Sequence, residues 1–527
     1  MLHNLMNYMP VFPEMFMLIM ACAVLLLELY LPVSLKNPVT YFLSQFALVV
    51  AFILSLSVFN SSPELLFSNS FILDPIASVL KFFIYLTTFF VFWYSYDYVI
   101  NRKIPLSEYY VLGLFCVLGM MIAVSAHNFL SLYLGLELFS LPLYAMVAIR
   151  RDHRQSIEGS MKYFVMGALA SGLLLYGLSL LYGATHSLDI AQVSAFIANT
   201  PESARLIMTM GLVFVVAGLA FKIGAAPFHM WVPDVYDGAP TPVTLFIGSA
   251  PKIATLGIII RLLIDAMPNL SVQWQQMLIV AAILSMAIGN IAAIVQTNIK
   301  RMLAYSAIAH MGFMSLGLIA LTKEGYAAAV FYMIAYALMS LGGFGMLVLF
   351  SRAGFDVEKI SDLKGLNQRH PWLAFMMLLV MFSMAGIPPT VGFFAKFAVL
   401  QALVHVHMTW LVVVALVFAI IGSYYYIAVV KAMYFEAADP LDAADQEILR
   451  THEAKIVAQN DITPLAGNAD VLHNHVPLHP ISSATTEATR FNLSLSLRIA
   501  MTLNGLSMLL LGMFPNSLIA LCVSAVA

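Results

Sequence analysis

Six charged residues of this sequence fall where charge is expensive. Lys81, Lys162, Lys222, Lys252 and Lys396 lie inside long apolar runs, and Glu137 lies in the middle of another. An ionised group at the centre of a bilayer costs ~2.5–3.5 kcal/mol on insertion scales, so such groups face a bundle interior or water and mark ion pathways. Desolvation favours the neutral form of a lysine, and a nearby carboxylate favours the charged form. A lysine held near Glu137 therefore keeps its proton, and moving the carboxylate away encourages release. A row of such lysines linked by water can pass protons laterally through the membrane centre. His310 suits the same relay because imidazole titrates near neutrality; the alternative for His310 is a plain interhelical hydrogen bond.

Three of the lysines stand beside helix-breaking sequence. Lys222 precedes Gly224-Ala225-Ala226-Pro227-Phe228-His229, and Lys396 follows Ala385-Gly386-Ile387-Pro388-Pro389. Lys252 follows Pro251 directly. Proline removes a backbone donor and frees carbonyls. At membrane depth such backbone is tolerated only where protein or a hydrated cavity satisfies it. Paired interrupted helices point to an ion site between repeats of a transporter-like chain. Lys81, near the start of its run, is expected to snorkel to the interface. His229 and Asp234 are expected to be structural hydrogen-bonding groups beside the first break.

The elements that position these residues are membrane spans. The chain has 527 residues, 61% hydrophobic and 10% charged, with a mean hydropathy of +0.90. A soluble chain carries about 25% charged residues, so most of this surface must face lipid. Spanning runs fall at about 11–31, 40–59, 71–96, 107–126, 128–149, 160–183, 206–230, 240–263, 274–297, 301–321, 325–350, 372–400, 409–435 and 493–523. Their continuous apolarity predicts an all-α polytopic protein of about 14 transmembrane helices and excludes a β-barrel, whose strands alternate over ~10 residues. The first run is read as a retained helix, because no basic region or cleavage site accompanies it. With the N-terminus outside, inner loops hold sixteen Lys and Arg residues and outer loops or helix ends three, namely Arg205, Arg261 and Lys323. The positive-inside rule then places both termini outside.

Residues 436–490 lack a long apolar run and are expected to form a poorly ordered cytoplasmic insertion. Its His473, His475 and His479 are read as solvated loop residues, not metal ligands, since no cysteine accompanies them. Cys22, Cys116 and Cys522 lie singly in apolar runs and are read as spectator thiols. The many Met and Phe residues are read as lipid-facing and packing material. A net charge of −2 gives no argument for nucleic acid. No G-x-G-x-x-G after a strand, P-loop or cysteine ligand set is present, so nucleotide, flavin and iron–sulfur chemistry must lie elsewhere.

The run Phe221-Lys222-Ile223-Gly224-Ala225-Ala226-Pro227-Phe228-His229-Met230-Trp231-Val232-Pro233-Asp234-Val235-Tyr236, followed by Gly238-Ala239-Pro240-Thr241-Pro242-Val243, resembles the signature of the antiporter-like membrane subunits of respiratory complex I. Leu136-Glu137, Ser249-Ala250-Pro251-Lys252-Ile253-Ala254, Gly386-Ile387-Pro388-Pro389 and Phe393-Phe394-Ala395-Lys396-Phe397 resemble the same family. The resemblance covers about residues 10–435 and the final span. A lysine at position 396 favours the N-type branch of the bacterial NADH:quinone oxidoreductase subunits over the M-type. The lack of a long lateral C-terminal helix argues against the L-type.

The resemblance implies two inverted five-helix repeats with broken helices 7 and 12 and a half-channel in each repeat. The implied divisions are 1–106 for three N-terminal helices, 107–263 and 274–435 for the repeats, 436–490 for the insertion and 491–527 for the last helix. It implies that Glu137 pairs with Lys222, that Lys162 modulates this pair, that Lys252 and His310 form a central hydrated axis, and that Lys396 exchanges protons with one side. It implies no cofactor on this chain, with FMN, iron–sulfur clusters and quinone on other subunits. Implied partners are neighbouring antiporter-like and small membrane subunits, the lipid bilayer, water and protons, in a bacterial inner membrane. The long 436–490 insertion departs from the family pattern. A component of an Mrp-type Na⁺/H⁺ antiporter, or of a related hydrogenase complex, is the alternative reading.

Overall fold

The computed structural model describes residues 9–57, 59, 63–199, 202–351, 357–437 and 495–526. The expected insertion, with His473, His475 and His479, lies almost wholly outside the described residues.

The chain is an all-α, multi-pass membrane protein. Thirteen helical segments among the described residues are long and apolar enough to cross a bilayer. The expected twelfth crossing, the run at 372–400, is instead two short apolar helices, Pro371–Ala385 and Val391–His405. In chain order the helices are α1 (Phe12–Tyr30), α2 (Val33–Ser57), α3 (Pro75–Asn101), α4 (Leu106–Val124), α5 (Phe129–Val147), α6 (Arg154–Thr185), the short α7 (Ile190–Ala198) and α8 (Glu202–Ile223). Then come α9 (Trp231–Gly238), α10 (Thr241–Ile247), α11 (Ala250–Ile259), α12 (Ser271–Ile294), α13 (Ile299–Ile319) and α14 (Lys323–Phe350). The last are a single turn α15 (Leu366–Arg369), α16 (Pro371–Ala385), α17 (Val391–His405), α18 (Thr409–Phe435), α19 (Leu495–Met513) and α20 (Pro515–Val526).

Helix starts follow local chemistry. Asp74, Asn128, Asp189, Asn298 and Thr322 each accept a backbone N–H of the first turn that follows, satisfying a donor that has no intrahelical partner. Asp74-Pro75 also explains a difference from the sequence reading. The third crossing begins at Pro75, not at 71, because a cap followed by proline fixes a helix start. Residues 71–73 instead form β2 (Phe71–Leu73), antiparallel to β1 (Glu64–Leu66). The turn between them holds Phe67, Ser68 and Asn69 at positive φ. Pro515 likewise divides the last run into α19 and α20. The eighth crossing is interrupted at Gly248-Ser249, just before the Pro251-Lys252 step, where Ser249 leaves helical geometry ahead of α11.

The middle of the bundle is formed by α10, α11, α13 and α14, whose faces are almost completely buried, whereas α1, α2 and α6 keep broad apolar surfaces outward. Those outward faces carry Ile19, Leu29, Phe42, Leu169 and others, as a lipid- or subunit-facing surface should.

Lys81 does not snorkel. It is 2% exposed, forms an ion pair with Glu14 of α1, and its ammonium lies 4.9 Å from the Phe71 ring centroid. Glu14 supplies the partner that makes burial tolerable, so the side chain has no need to reach the interface. Arg261, near the end of the eighth crossing, is also buried; it donates to both oxygens of Asp74 at 2.7 Å and to the Val124 carbonyl. These two charge clusters tie α1, α3, α4 and the segment after α11 together at one end.

Removing one member of a buried pair leaves the other charge uncompensated, at a cost of roughly 3–5 kcal/mol, whereas replacing both with apolar groups is often neutral. Lys81→Met should therefore lower the thermal unfolding temperature of the purified protein markedly, and the double variant Glu14→Met/Lys81→Met should recover most of the loss. A double variant no better than the single one would show that the pair is not the reason.

Candidate functional site

The first break begins where α8 ends at Ile223. Gly224 turns the chain with φ +73°, and residues 225–230 are non-helical before α9. Several freed backbone groups find partners inside the protein. Trp231 Nε1 donates to the Phe221 carbonyl at 3.0 Å, and the Ala226 N–H donates to Ser285 Oγ at 2.8 Å. The Ile223 carbonyl accepts from Lys252 Nζ at 2.7 Å. Lys252 stands in the first turn of α11, directly after the Gly248-Ser249 interruption, and is 2% exposed. Its ammonium also lies 5.2 Å from the Trp231 ring centroid.

The second break repeats this chemistry. Helix α16 ends at Ala385, Gly386 takes φ +85°, and α17 resumes at Val391. Lys396 of α17 turns back onto the end of α16, donating to the Met384 carbonyl at 3.0 Å and the Ala385 carbonyl at 2.8 Å. Its ammonium stands 5.2 Å from the Phe313 ring centroid. In both places an ammonium sits on the last carbonyls of a truncated helix, the negative end of the helix dipole.

Lys222 uses hydroxyls. It donates to Ser140 Oγ at 2.9 Å and to Tyr144 OH at 3.3 Å. Glu137, Ser140 and Tyr144 occupy positions i, i+3 and i+7 of α5, hence one helical face. The Glu137 carboxylate reaches Lys222 through its field, but no direct ion pair joins them; Glu137 Oε1 is buried without a hydrogen-bond partner among the described residues. Lys252 stands beside Gly224, two residues after Lys222, since a Cβ on Gly224 would lie 3.4 Å from Lys252 Nζ.

Lys162 lies elsewhere. It is half-exposed and pairs with Glu158 at 2.9 Å and with Asp234 Oδ2 at 2.7 Å. Asp234 Oδ1 accepts from Arg301 at 3.0 Å, so this carboxylate joins α6, α9 and α13. That agrees with the hydrogen-bonding role expected of Asp234. His229 stands within the first break, close to the Pro227 carbonyl.

His310, on α13, is 3% exposed. Its Nδ1 is 2.7 Å from Tyr332 OH and its Nε2 is 3.1 Å from Tyr426 OH; Tyr426 is bonded in turn to Ser306. His310, Lys396, Phe313, Asn290, Tyr425 and Tyr426 help to line a small cavity with room for about one water. The candidate residues therefore gather in two groups, Glu137/Lys222/Lys252 and His310/Lys396, with Lys162 at a third place. Ser140 and Tyr144 were detectable from their helical spacing to Glu137. Ser306, four residues before His310 on α13, was detectable in the same way, whereas Tyr332 and Tyr426 arrive from other helices whose apposition has no local sequence signal.

The turn at Gly386 requires a residue without a Cβ. A Cβ there would lie 2.9 Å from Lys396 Cδ, and positive φ adds strain of order 1–3 kcal/mol for other residues. Gly386→Ala should lower the stability of the purified protein by about that amount in thermal unfolding. Gly183→Ala, where a Cβ would meet open space, should not.

The chain is similar to known proteins along nearly its whole length. The family model described as NADH:quinone oxidoreductase/Mrp antiporter, TM, matches residues 126–422, which include every residue of both groups. The NADH-quinone oxidoreductase subunit N of Coxiella burnetii (strain RSA 493 / Nine Mile phase I) is 52% identical over 522 residues, 98% of each chain. The subunit N of Thioalkalivibrio sulfidiphilus (strain HL-EbGR7) is 49% identical, over 99% of this chain and 98% of its own. A chain of respiratory complex I from Thermus thermophilus with bound aureothin superposes with TM-score 0.73 at 28% identity, covering 96% of this chain and 98% of that one. A chain of the Mrp complex from Dietzia sp. DQ12-45-1b shares the fold with TM-score 0.80 at 19% identity, covering 99% and 97%. With its signature residues, its broken helices and relatives of about half identity along nearly its whole length, the chain belongs to the NADH:quinone oxidoreductase/Mrp antiporter membrane family.

Proposed function

We propose that this chain is a proton-translocating membrane-arm subunit of a bacterial NADH:quinone oxidoreductase. Electron transfer from NADH to quinone takes place on other subunits, which hold FMN, the iron–sulfur clusters and quinone, and this chain moves protons in response. The observation that carries the reading is the placement of three lysines, each of whose ammonium groups rests on carbonyls or hydroxyls inside the bundle at a helix break. Such groups can hold a proton, hand it on and be recharged, and an anchor with no transport role has no use for them. The names borne by the half-identical relatives support the same reading.

In this mechanism Lys222 takes and gives protons on the Ser140 and Tyr144 hydroxyls, and Glu137 biases its charge through the field. Lys252 and His310 carry protons along the centre, and Lys396 exchanges them with one side. Lys162 acts on Lys222 indirectly, through Asp234 and the position of α9. The domains follow the resemblance: helices of 1–106, repeats at 107–263 and 274–435 in inverted orientation, the 436–490 insertion inside, and a last helix at 491–527. Both termini face the periplasm. Neighbouring antiporter-like and small membrane subunits cover the outward apolar faces that lipid does not.

The test is made in membranes carrying the complete complex. Lys222→Ala and Glu137→Ala should each depress NADH-driven quinone reduction and proton uptake by at least about tenfold, equivalent to about 1.4 kcal/mol, at unchanged complex content. Full activity in both variants would overturn the assignment. Transport that requires sodium and proceeds without NADH oxidation would favour the Mrp-type antiporter instead.

A further inference from the structure

The two halves of the proposed relay do not touch. Among the described residues, no hydrogen bond links Lys252, at the first break, to His310, beside Lys396. Helix α14 runs between them and carries hydroxyls on one stripe. Tyr332, Tyr336 and Ser340 stand at i, i+4 and i+8, hence on one face, and cover about 12 Å along the helix axis. Tyr332 OH meets His310 Nδ1 at 2.7 Å, and the Tyr336 ring centroid lies 5.2 Å from that of His310.

The far end of the stripe reaches the other half. Ser340 Oγ lies 2.7 Å from where a Cβ on Gly248 would stand, so it faces the Gly248-Ser249 interruption that Lys252 follows. All three stripe residues are buried. Tyr336 and Ser340 are within side-chain reach of one another, yet Ser340 Oγ has no well-aligned hydrogen-bond partner among the described residues. Tyr236 of α9 lies within electrostatic reach of Tyr336, and its buried hydroxyl also lacks a partner. A buried hydroxyl left unsatisfied costs ~1–3 kcal/mol, and ordered water is the usual remedy. Both of these hydroxyls lie within reach of Tyr336, on the side of α14 that leads from His310 toward the Gly248-Ser249 interruption.

We propose that Tyr332, Tyr336 and Ser340, with Tyr236 facing them, form a hydrated hydroxyl bridge that carries protons between Lys252 and His310. It deepens the relay reading given above and rests on it. An N–H bond of the Lys252 ammonium breaks as a bound water takes that proton. Each oxygen along the stripe gains one proton and gives up another, so every O–H bond broken is replaced by one formed. The last proton, leaving Tyr332 OH, forms an N–H bond at His310 Nδ1. Lysine is left neutral, imidazole becomes imidazolium, and no charge stays on the stripe. Return of the proton follows the same oxygens in reverse. Tyr and Ser suit this transfer because each hydroxyl both donates and accepts.

The test uses the complete complex in membrane vesicles, with NADH-driven proton uptake followed in H₂O and in D₂O and complex content measured alongside. The double variant Tyr336→Phe/Ser340→Ala should lower proton uptake at least about tenfold, with a larger solvent isotope effect than the parent. Tyr336→Phe alone loses a single oxygen, keeps the packing and should show the same change in smaller measure; it decides the matter if the double variant does not assemble. Uptake within about twofold of the parent, while Lys252→Ala and Lys396→Ala suppress it, would overturn the bridge and leave the relay standing. Full uptake in the lysine variants as well would overturn both.

Discussion

A buried ammonium and an interrupted helix each solve the other's problem. A helix that stops inside the bilayer exposes carbonyls with no N–H to meet them, and a lysine at that depth has no water to solvate it. Ile223 O with Lys252, and the Met384 and Ala385 carbonyls with Lys396, settle both costs in one contact of 2.7–3.0 Å. The glycines at the breaks follow from this. Gly224 and Gly386 turn the chain through positive φ so that the carbonyls face the ammonium and not the next helical turn. Neither the lysines nor the prolines can be understood separately.

From that contact the rest of the arrangement follows. Each ammonium is held by neutral oxygens and not by a full counter-charge, which keeps loss of the proton within reach. The contrast with Lys81 and Arg261 is informative, because those cations are held by carboxylates and act as fixed ties between helices. Lys162 belongs with the ties, since Asp234 and Glu158 both contact it. Asp234 shares its two oxygens between Lys162 and Arg301 and so fixes α9, the continuation of the first break, against helices on both sides. The most buried helices, α13 and α14, then supply the hydroxyls and the imidazole between the two breaks.

Much of this was legible in the sequence. Length and hydropathy of the runs gave nearly all the crossings, and proline with glycine beside Lys222 and Lys396 located both breaks, because the physics that tolerates them is local. Other features needed the third dimension. The Lys81 partner, Glu14, lies in a different helix 67 positions away, and nothing near either residue announces the pair. Pro251 marks the break beside Lys252, but it opens α11, and the interruption itself falls before it, at Gly248-Ser249. The β-hairpin before α3 was absorbed into an apolar run, although Asp74-Pro75 marks the true start. The resemblance implies that Glu137 pairs with Lys222, yet Ser140 and Tyr144, not the carboxylate, receive the ammonium. Hydropathy finds charges in a membrane and does not say which oxygens receive them.

What separates a shared relay from a set of isolated buried cations is water. A density map of the assembled complex, at a resolution that shows individual waters, is the most direct measurement. Ordered waters joining Lys222, Lys252, the α14 hydroxyls, His310 and Lys396 are the expected result. Tight apolar packing between the two lysine groups, with no density between their polar atoms, would contradict proton movement along this row.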